Sequence, residues 1–173
     1  MKKIGLFYGP IGGSVEQVAT KIAKQIGEDK VDIRPVKEAT AKDFDEYENI
    51  ILGISTIGSE TWQSESPAND WDKFLSQLDH VNYTGKTFAL FGLGDHISYP
   101  LHFIDALGIL GKILIQNKAK IIGRVPTENY EFEDSKGVIN GKFIGLPIDE
   151  NFENEKTDSR IEKWLDLILP LFN

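Results

Sequence analysis

The feature that most constrains the fold is a series of five short apolar runs with little polar alternation. They cover residues 4–8, 31–36, 50–55, 87–92 and 120–125. Runs of this kind are typical of parallel strands, because a parallel sheet is buried on both of its faces. The sequence therefore predicts a sheet of five parallel strands.

Helical patterns separate these runs. The clearest has one apolar stripe made of Val15, Val18, Ala19, Ile22, Ala23 and Ile26, which is the spacing of an amphipathic helix. Further patterns cover residues 71–78, 104–114 and 161–169, and the last follows a capping signal at Thr157, Asp158 and Ser159. Strands that alternate with helices form repeated βαβ units, so we predict an α/β fold, doubly wound, with helices on both faces of the sheet.

One segment interrupts this alternation. Residues 126–144 are polar and rich in turn residues, and Asn140 with Gly141 predicts a hairpin turn. A second short apolar run follows at residues 145–148, so the last strand is predicted to be split by an insert. We find no linker and expect residues 1–173 to form one domain.

Composition excludes several classes of function. The chain has 27 acidic and 19 basic residues and a net charge of −8, which disfavours nucleic acid and anionic membranes and favours a partner with a basic face. The absence of cysteine excludes disulfides and thiolate chemistry. We see neither a signal peptide nor a membrane span and expect a cytoplasmic protein.

Three loops follow the carboxyl ends of strands, where doubly wound sheets bind their ligands. The first reads GPIGGS at residues 9–14. Its backbone amides and the start of the next helix are suited to an anion, although a tight structural turn is an alternative interpretation. It lacks the lysine of a Walker loop and the glycine spacing of a dinucleotide fingerprint.

The other two loops each present backbone and one aromatic side chain. The second extends from Ser55 to Asn69 and carries Trp62, and the third extends from Leu93 to Leu101 and carries Tyr99. Two such loops suit a flat ring held between them, but Trp62 could also pack under its own loop and Tyr99 could cap the following helix. The three histidines lack metal-ligand spacing, so we expect no metal site.

Four stretches together resemble the long-chain flavodoxins: KKIGLFYGPIGGSVEQVA, FGLGDHISYP, ENYEFEDSKGVINGKFIGLPIDEN and TDSRIEKWL. The resemblance covers the chain from Lys2 almost to its end. It implies a flavodoxin-like three-layer sandwich with the strand order 2-1-3-4-5 and one non-covalently bound FMN.

The resemblance also implies where FMN would be bound. The phosphate would lie among Pro10, Ile11, Gly12, Gly13, Ser14 and Val15. The ring would lie beside Ser55, Thr56, Ile57 and Gly58, with Trp62 or Ile57 on its inner face. Leu93, Gly94, Asp95 and Tyr99 would form the other flank, with Tyr99 stacked on the outer face, and Asp149 would lie near the ribityl chain.

Two departures from the family pattern bear on affinity. The phosphate loop usually carries three threonines, and here those positions hold Pro10, Gly12 and Val15, which leaves Ser14 as the only hydroxyl. Each neutral hydrogen bond contributes about 0.5–1.5 kcal/mol, so we expect weaker phosphate binding but still a bound cofactor. The aromatic residue usual after Thr56 is replaced by Ile57.

The resemblance implies a low-potential one-electron carrier. Its expected partners are basic-faced redox proteins, such as a flavodoxin reductase and acceptor oxidoreductases. We expect the protein to be a monomer that binds these partners transiently. Asp95 and other acidic residues are expected to steer the partners toward it. An FMN-dependent quinone or nitro reductase is one alternative, and a related protein with weakened FMN binding is another. A phosphorylated receiver domain is rejected, because the acidic pair and the aspartate that it needs are absent.

Overall fold

The computed structural model describes residues 2–56 and 70–173. Its strands are β1 (Ile4–Gly9), β2 (Val31–Pro35), β3 (Asn49–Ser55), β4 (Thr87–Leu93), β5 (Lys120–Ile122), β6 (Val125–Pro126), β7 (Val138–Ile139), β8 (Lys142–Phe143) and β9 (Leu146–Ile148). Its helices are α1 (Ser14–Ile26), α2 (Asp70–Leu75), α3 (Asp105–Gln116) and α4 (Thr157–Ile168). Short 3₁₀ helices lie at Glu28–Lys30, Val36–Glu38, Ala41–Glu46, Leu78–His80, Asn154–Lys156 and Leu169–Leu171.

The main sheet is parallel, with the strand order β2-β1-β3-β4-β5. This confirms the predicted order. β5 pairs with residues 87–89 of β4, and β9 pairs with residues 91–93 of the same strand. The last strand position is therefore filled by two pieces in succession, which confirms that an insert splits it.

The sheet carries a hydrophobic core on each face. One core joins β1 to α1 and α4, and includes Leu6, Ile22 and Trp164. The other lies under α2 and α3, and includes Phe7 and Trp71. Successive strand residues enter opposite cores, as the two-residue period of a strand requires. The predicted three-layer, doubly wound architecture is confirmed.

The insert contains a small antiparallel sheet of its own, ordered β6-β8-β7. β7 and β8 are joined by Asn140 and Gly141, whose φ angles of 52° and 78° are those of the predicted hairpin turn. The predicted strand at residues 120–125 is partly wrong. Gly123 has a φ of 77°, so the main-sheet strand ends at Ile122, and Val125 pairs with Phe143 in the small sheet instead.

Two helix boundaries also differ from the prediction. Thr157 is already the first residue of α4, and Lys156 precedes it without a side-chain capping bond. The Thr157 hydroxyl donates to Glu150 instead, so the prediction that residues 157–159 cap the helix was wrong. The second predicted helix, residues 71–78, is divided into α2 and a 3₁₀ turn at Leu78–His80.

Candidate functional site

The candidate site lies at the carboxyl edge of the main sheet. The chain leaves this edge at the ends of three adjacent strands: residues 10–13 follow β1, Thr56 follows β3, and residues 94–104 follow β4. β2 lies on one side of β1, and β3, β4 and β5 follow in order on its other side. The strand order therefore reverses between β1 and β3, which is where such sheets form a ligand crevice.

The first loop is a nest of backbone amides at the start of α1. Gly12 has a φ of +80°, and a side chain at Gly12 or Gly13 would meet nothing within 4 Å. The positive φ favours glycine, since other residues adopt it only at a cost. The amides in the first turn of α1 have no acceptor within the helix, so those of Ser14 and Val15 are suited to an anion.

Two amides of this loop are bonded to carboxylates of the protein itself. The Gly12 amide donates to Glu16 Oε2 at 2.6 Å, and the Ile11 amide donates to Asp70 Oδ2 at 3.1 Å. Glu16 belongs to the first turn of α1, and Asp70 is the first residue of α2. Both carboxylates are therefore held at the loop that was predicted to bind phosphate.

A tyrosine fixes the position of Glu16. The Tyr8 hydroxyl donates to Glu16 Oε1 at 2.9 Å, and the Tyr8 side chain is buried. Burial, followed by the hydrogen bond to Glu16 and the charge of that residue, raises the pKa of Tyr8 to about 12. Tyr8 therefore stays protonated near neutral pH and remains a donor.

The second loop is described only at its start. The Thr56 amide donates to the Leu93 carbonyl at 2.9 Å, and the Thr56 hydroxyl accepts from the Ala106 amide at 3.2 Å. This hydroxyl satisfies a free amide at the start of α3 and ties the second loop to that helix. Ser55 is the last residue of β3. The predicted ligand residues Ile57, Gly58 and Trp62 lie outside the described residues.

The third loop is organised by Asp95. Its Oδ1 accepts from the amides of Ile97 at 3.1 Å and Ser98 at 2.7 Å, and its Oδ2 accepts from Asn151 Nδ2 at 3.0 Å. Burial by itself would raise the pKa of Asp95, but the bonds from Ser98, Asn151 and Ile97 outweigh it and leave that pKa below its usual value. Asp95 is only 6% exposed. Its carboxylate is turned into the loop, and its predicted part in steering partners stays a prediction.

Asp149 joins the third loop to the segment that follows β9. It is fully buried, and its Oδ2 lies 3.0 Å from the His96 amide and 2.5 Å from His96 Nδ1. Its Oδ1 accepts from the amides of Asn151 and Phe152, each at 2.9 Å. The side chain thus braces the loops, and its predicted place near the ribityl chain stays a prediction.

Three other predicted residues can offer only their backbone to a ligand. Val15 and Leu93 are buried in the core beside α1, so only their backbone can reach the crevice. Gly94 has no side chain, and a Cβ there would lie 2.8 Å from the Ile104 nitrogen. These positions supply close backbone approach.

Large apolar side chains are exposed in the loops at this edge. Tyr99 is 41% exposed, and the described residues contain eight others of this kind. Five of the nine lie at the carboxyl edge of the sheet: Ile11, Ile97, Tyr99, Leu101 and Phe152. Their concentration is expected for a surface that binds a ring or another protein.

Sequence reasoning missed Tyr8, Glu16, Asp70 and His96. Only Glu16 had a local signal, because an acidic residue in the first turn of a helix often bonds to amides at its start. Asp70 and His96 act on residues 59 and 53 positions away. Contacts of that separation are not visible in a sequence pattern.

Other kinds of site are not supported by the part of the chain that the structure describes. Within residues 2–56 and 70–173, no group of histidine and acidic side chains could hold a metal ion. No helix within the same ranges is long and apolar enough to cross a membrane.

The residues at the carboxyl edge fit a flavin phosphate in most respects. The crevice offers free amides at a helix start, glycines with open space beside them, and an exposed tyrosine on the neighbouring loop. One feature opposes the fit, since the amides of Gly12 and Ile11 are already bonded to Glu16 and Asp70.

Comparisons with known proteins agree with this geometry. The model of the family described as "Flavodoxin" matches residues 6–164. A flavodoxin of Trichodesmium erythraeum is 44% identical over 167 residues, covering 95% of each chain. A flavodoxin of Buchnera aphidicola is 40% identical and covers 100% of this chain and 99% of its own.

Solved structures show the same similarity. The crystal structure of Fusobacterium nucleatum flavodoxin bound to flavin mononucleotide aligns with a TM-score of 0.88 and 29% identity, over the full length of both chains. Oxidised flavodoxin 2 of Bacillus cereus, at 22% identity and a TM-score of 0.70, shares the fold.

Proposed function

This chain belongs to the flavodoxin family, and we propose that it is an electron-transfer protein that carries one non-covalently bound FMN. The observation that carries this proposal is that the loops after β1 and β4 and the end of β3 lie together at the switch point of the sheet. One loop is an amide nest and another exposes Tyr99. An anion and a flat ring joined by a short chain match that arrangement.

Several residues of this chain would hold FMN. The amides of Gly13, Ser14 and Val15 and the Ser14 hydroxyl would bind the phosphate, because they lie at the positive end of α1. Tyr99 would cover one face of the ring. The peptides at Ser55 and Gly94 would border it, since both lie where adjacent strands end.

When bound, FMN supplies one-electron redox chemistry that no side chain can provide. The protein would set the free energy of adding negative charge to the flavin ring. A net charge of −8 and a phosphate loop without a cation both disfavour further negative charge on the ring. A penalty of about 1.4 kcal/mol corresponds to about 60 mV for one electron, so we propose a low-potential carrier.

The apolar loop side chains support docking of redox partners at the same edge. Ile97, Leu101 and Phe152 are each more than half exposed, and such side chains commonly form the centre of a transient interface. The acidic surface would attract a reductase and acceptor proteins with basic faces. We further propose that the protein acts as a monomer in the cytoplasm.

A visible spectrum of the purified protein tests the cofactor. Bound flavin bands at a ratio of about one per chain are expected, and a colourless protein that takes up no added FMN would contradict the proposal. Mixing the flavin-loaded protein with NADPH and a quinone tests the role of carrier. Electron transfer should require an added reductase, whereas sustained turnover without one would indicate a quinone reductase.

A further inference from the structure

We propose that Glu16 is an internal anion that competes with the phosphate of the cofactor and thereby limits the preference of this site for FMN over riboflavin. This inference rests on the proposed function, since it concerns the same loop. It goes further by naming the residue that sets phosphate selectivity.

The geometry gives Glu16 the bonds that a phosphate oxygen would make. Its Oε2 accepts from the Gly12 amide at 2.6 Å, which is short for a bond from an amide to an oxygen. Gly12 presents this amide with a φ of +80°. The loop is therefore shaped so that an unusual backbone conformation presents an amide to a carboxylate of the protein.

Two further contacts keep this carboxylate in place. The buried Tyr8 hydroxyl donates to the other oxygen, Oε1, at 2.9 Å. The start of α1 adds its partial positive charge, which favours an acidic side chain in the first turn. Glu16 is thus held from three directions and does not extend freely into solvent.

Asp70 extends the same arrangement to the neighbouring amide. It accepts from Ile11 at 3.1 Å, so two consecutive amides of the nest are bonded to two carboxylates. Residues 9–15 contain no lysine or arginine. A phosphate at the amides of Gly13, Ser14 and Val15 must either displace a carboxylate to gain the Ile11 and Gly12 amides or do without those two bonds. In both cases it lies beside negative charge without a cation in the loop.

Riboflavin has the same ring and ribityl chain but lacks the phosphate. Its binding therefore needs no displacement of Glu16 and meets no repulsion from it. The competition lowers the affinity for FMN alone. The ratio of the affinities for FMN and riboflavin therefore measures this competition. Changes at the ring site affect both affinities equally and do not alter the ratio.

The test compares dissociation constants of FMN and riboflavin for the full-length apoprotein and its Glu16→Gln variant, measured by quenching of flavin fluorescence. Glutamine keeps an oxygen that can accept from Gly12 and removes the charge. Glu28→Gln is a matched control, because it removes an exposed charge just beyond the other end of α1, roughly 18 Å away.

We expect Glu16→Gln to tighten FMN binding at least tenfold and to change riboflavin binding less than twofold, while Glu28→Gln changes neither more than twofold. Raising the salt concentration should tighten FMN binding to the unaltered protein and have a smaller effect on Glu16→Gln, because salt screens the repulsion. Asp70→Asn should act in the same direction with a smaller gain.

Three results would overturn the inference. One is an unchanged or weaker affinity of Glu16→Gln for FMN. Another is an equal change for FMN and riboflavin, which would assign Glu16 a role in folding alone. The third is an equal gain in the Glu28→Gln control. If neither flavin binds the unaltered protein or the variant, the proposed function itself fails, which is a distinct outcome.

Discussion

Asp149 holds His96 at two points, since one carboxylate oxygen lies 3.0 Å from the His96 amide and 2.5 Å from its ring Nδ1. The other oxygen accepts two amides of the segment after β9. This fully buried group connects two loops that border the candidate flavin site. The site is thus braced by charge-assisted bonds within the protein before any ligand is considered.

The Asp149→Asn variant should be strongly destabilised. Asparagine places an NH₂ group against donors that now face a carboxylate oxygen, and a buried donor without its acceptor costs about 1–3 kcal/mol. We expect the free energy of unfolding in urea to fall by about 2–3 kcal/mol. The exposed Asp166→Asn is the control and should change it by less than about 0.5 kcal/mol. Equal stability of the two variants would show that Asp149 does not brace the loops.

Asp95 should make the stability depend on pH in a defined range. Its hydrogen bonds lower its pKa in the folded protein below the usual value of an aspartate. A depressed folded pKa contributes stability that is present above the unfolded pKa and is lost as pH falls through the folded value. The stability difference between the unaltered protein and Asp95→Asn should therefore be largest near pH 7 and shrink below pH 4. A difference that stays constant from pH 7 to pH 3 would contradict this role.

Gly12 and Gly13 should respond differently to the same substitution. Gly12 has a φ of +80°, whereas Gly13 has a φ of −125° that any residue adopts. Both positions have space for a methyl group. Gly12→Ala should lower the free energy of unfolding of the apoprotein by about 1–2 kcal/mol, and Gly13→Ala should leave it nearly unchanged. Equal losses of stability in the two variants would show that the positive φ of Gly12 is not what makes glycine necessary there.

Tyr99 should contribute to cofactor binding through its ring. Stacking of aromatic rings is worth about 0.5–1.5 kcal/mol beyond the buried area, so Tyr99→Ala should weaken FMN binding by about tenfold. Tyr99→Phe retains the ring and should bind within about twofold of the unaltered protein. An unaltered dissociation constant for Tyr99→Ala would show that the exposed tyrosine does not cover the flavin.

The sheet could be predicted from the sequence because its signals are local. The apolar runs at β1, β3 and β4 and the periodicity of α1 each lie within one element, and Asn140 with Gly141 fixes a hairpin over two residues. Where the prediction was wrong, one residue decided the outcome. Gly123 turns the chain with a positive φ, and the apolar residues on either side of it, Ile122 and Val125, do not reveal that the strand ends there.

The chemistry of the phosphate loop was harder to predict. Its glycines indicate an amide nest, but the sequence of the loop does not indicate which groups its amides bind. Glu16 is reached through the first turn of its own helix, while Asp70 comes from another element, 59 residues from its partner Ile11. The carboxylate reaches the loop because the start of α2 lies against the end of β1, where Asp70 Cβ is 3.2 Å from the position of a Cβ at Gly9.

A stepwise reductive titration of the FMN-loaded protein shows whether this chain carries single electrons. We predict one FMN per chain and two separate one-electron steps at potentials that can be measured individually, with the second step at the lower potential because the acidic protein resists added negative charge. The long-wavelength absorption of the one-electron-reduced flavin should rise and then fall as reductant is added. A single two-electron step without that absorption, or a protein that retains no flavin, would contradict the account.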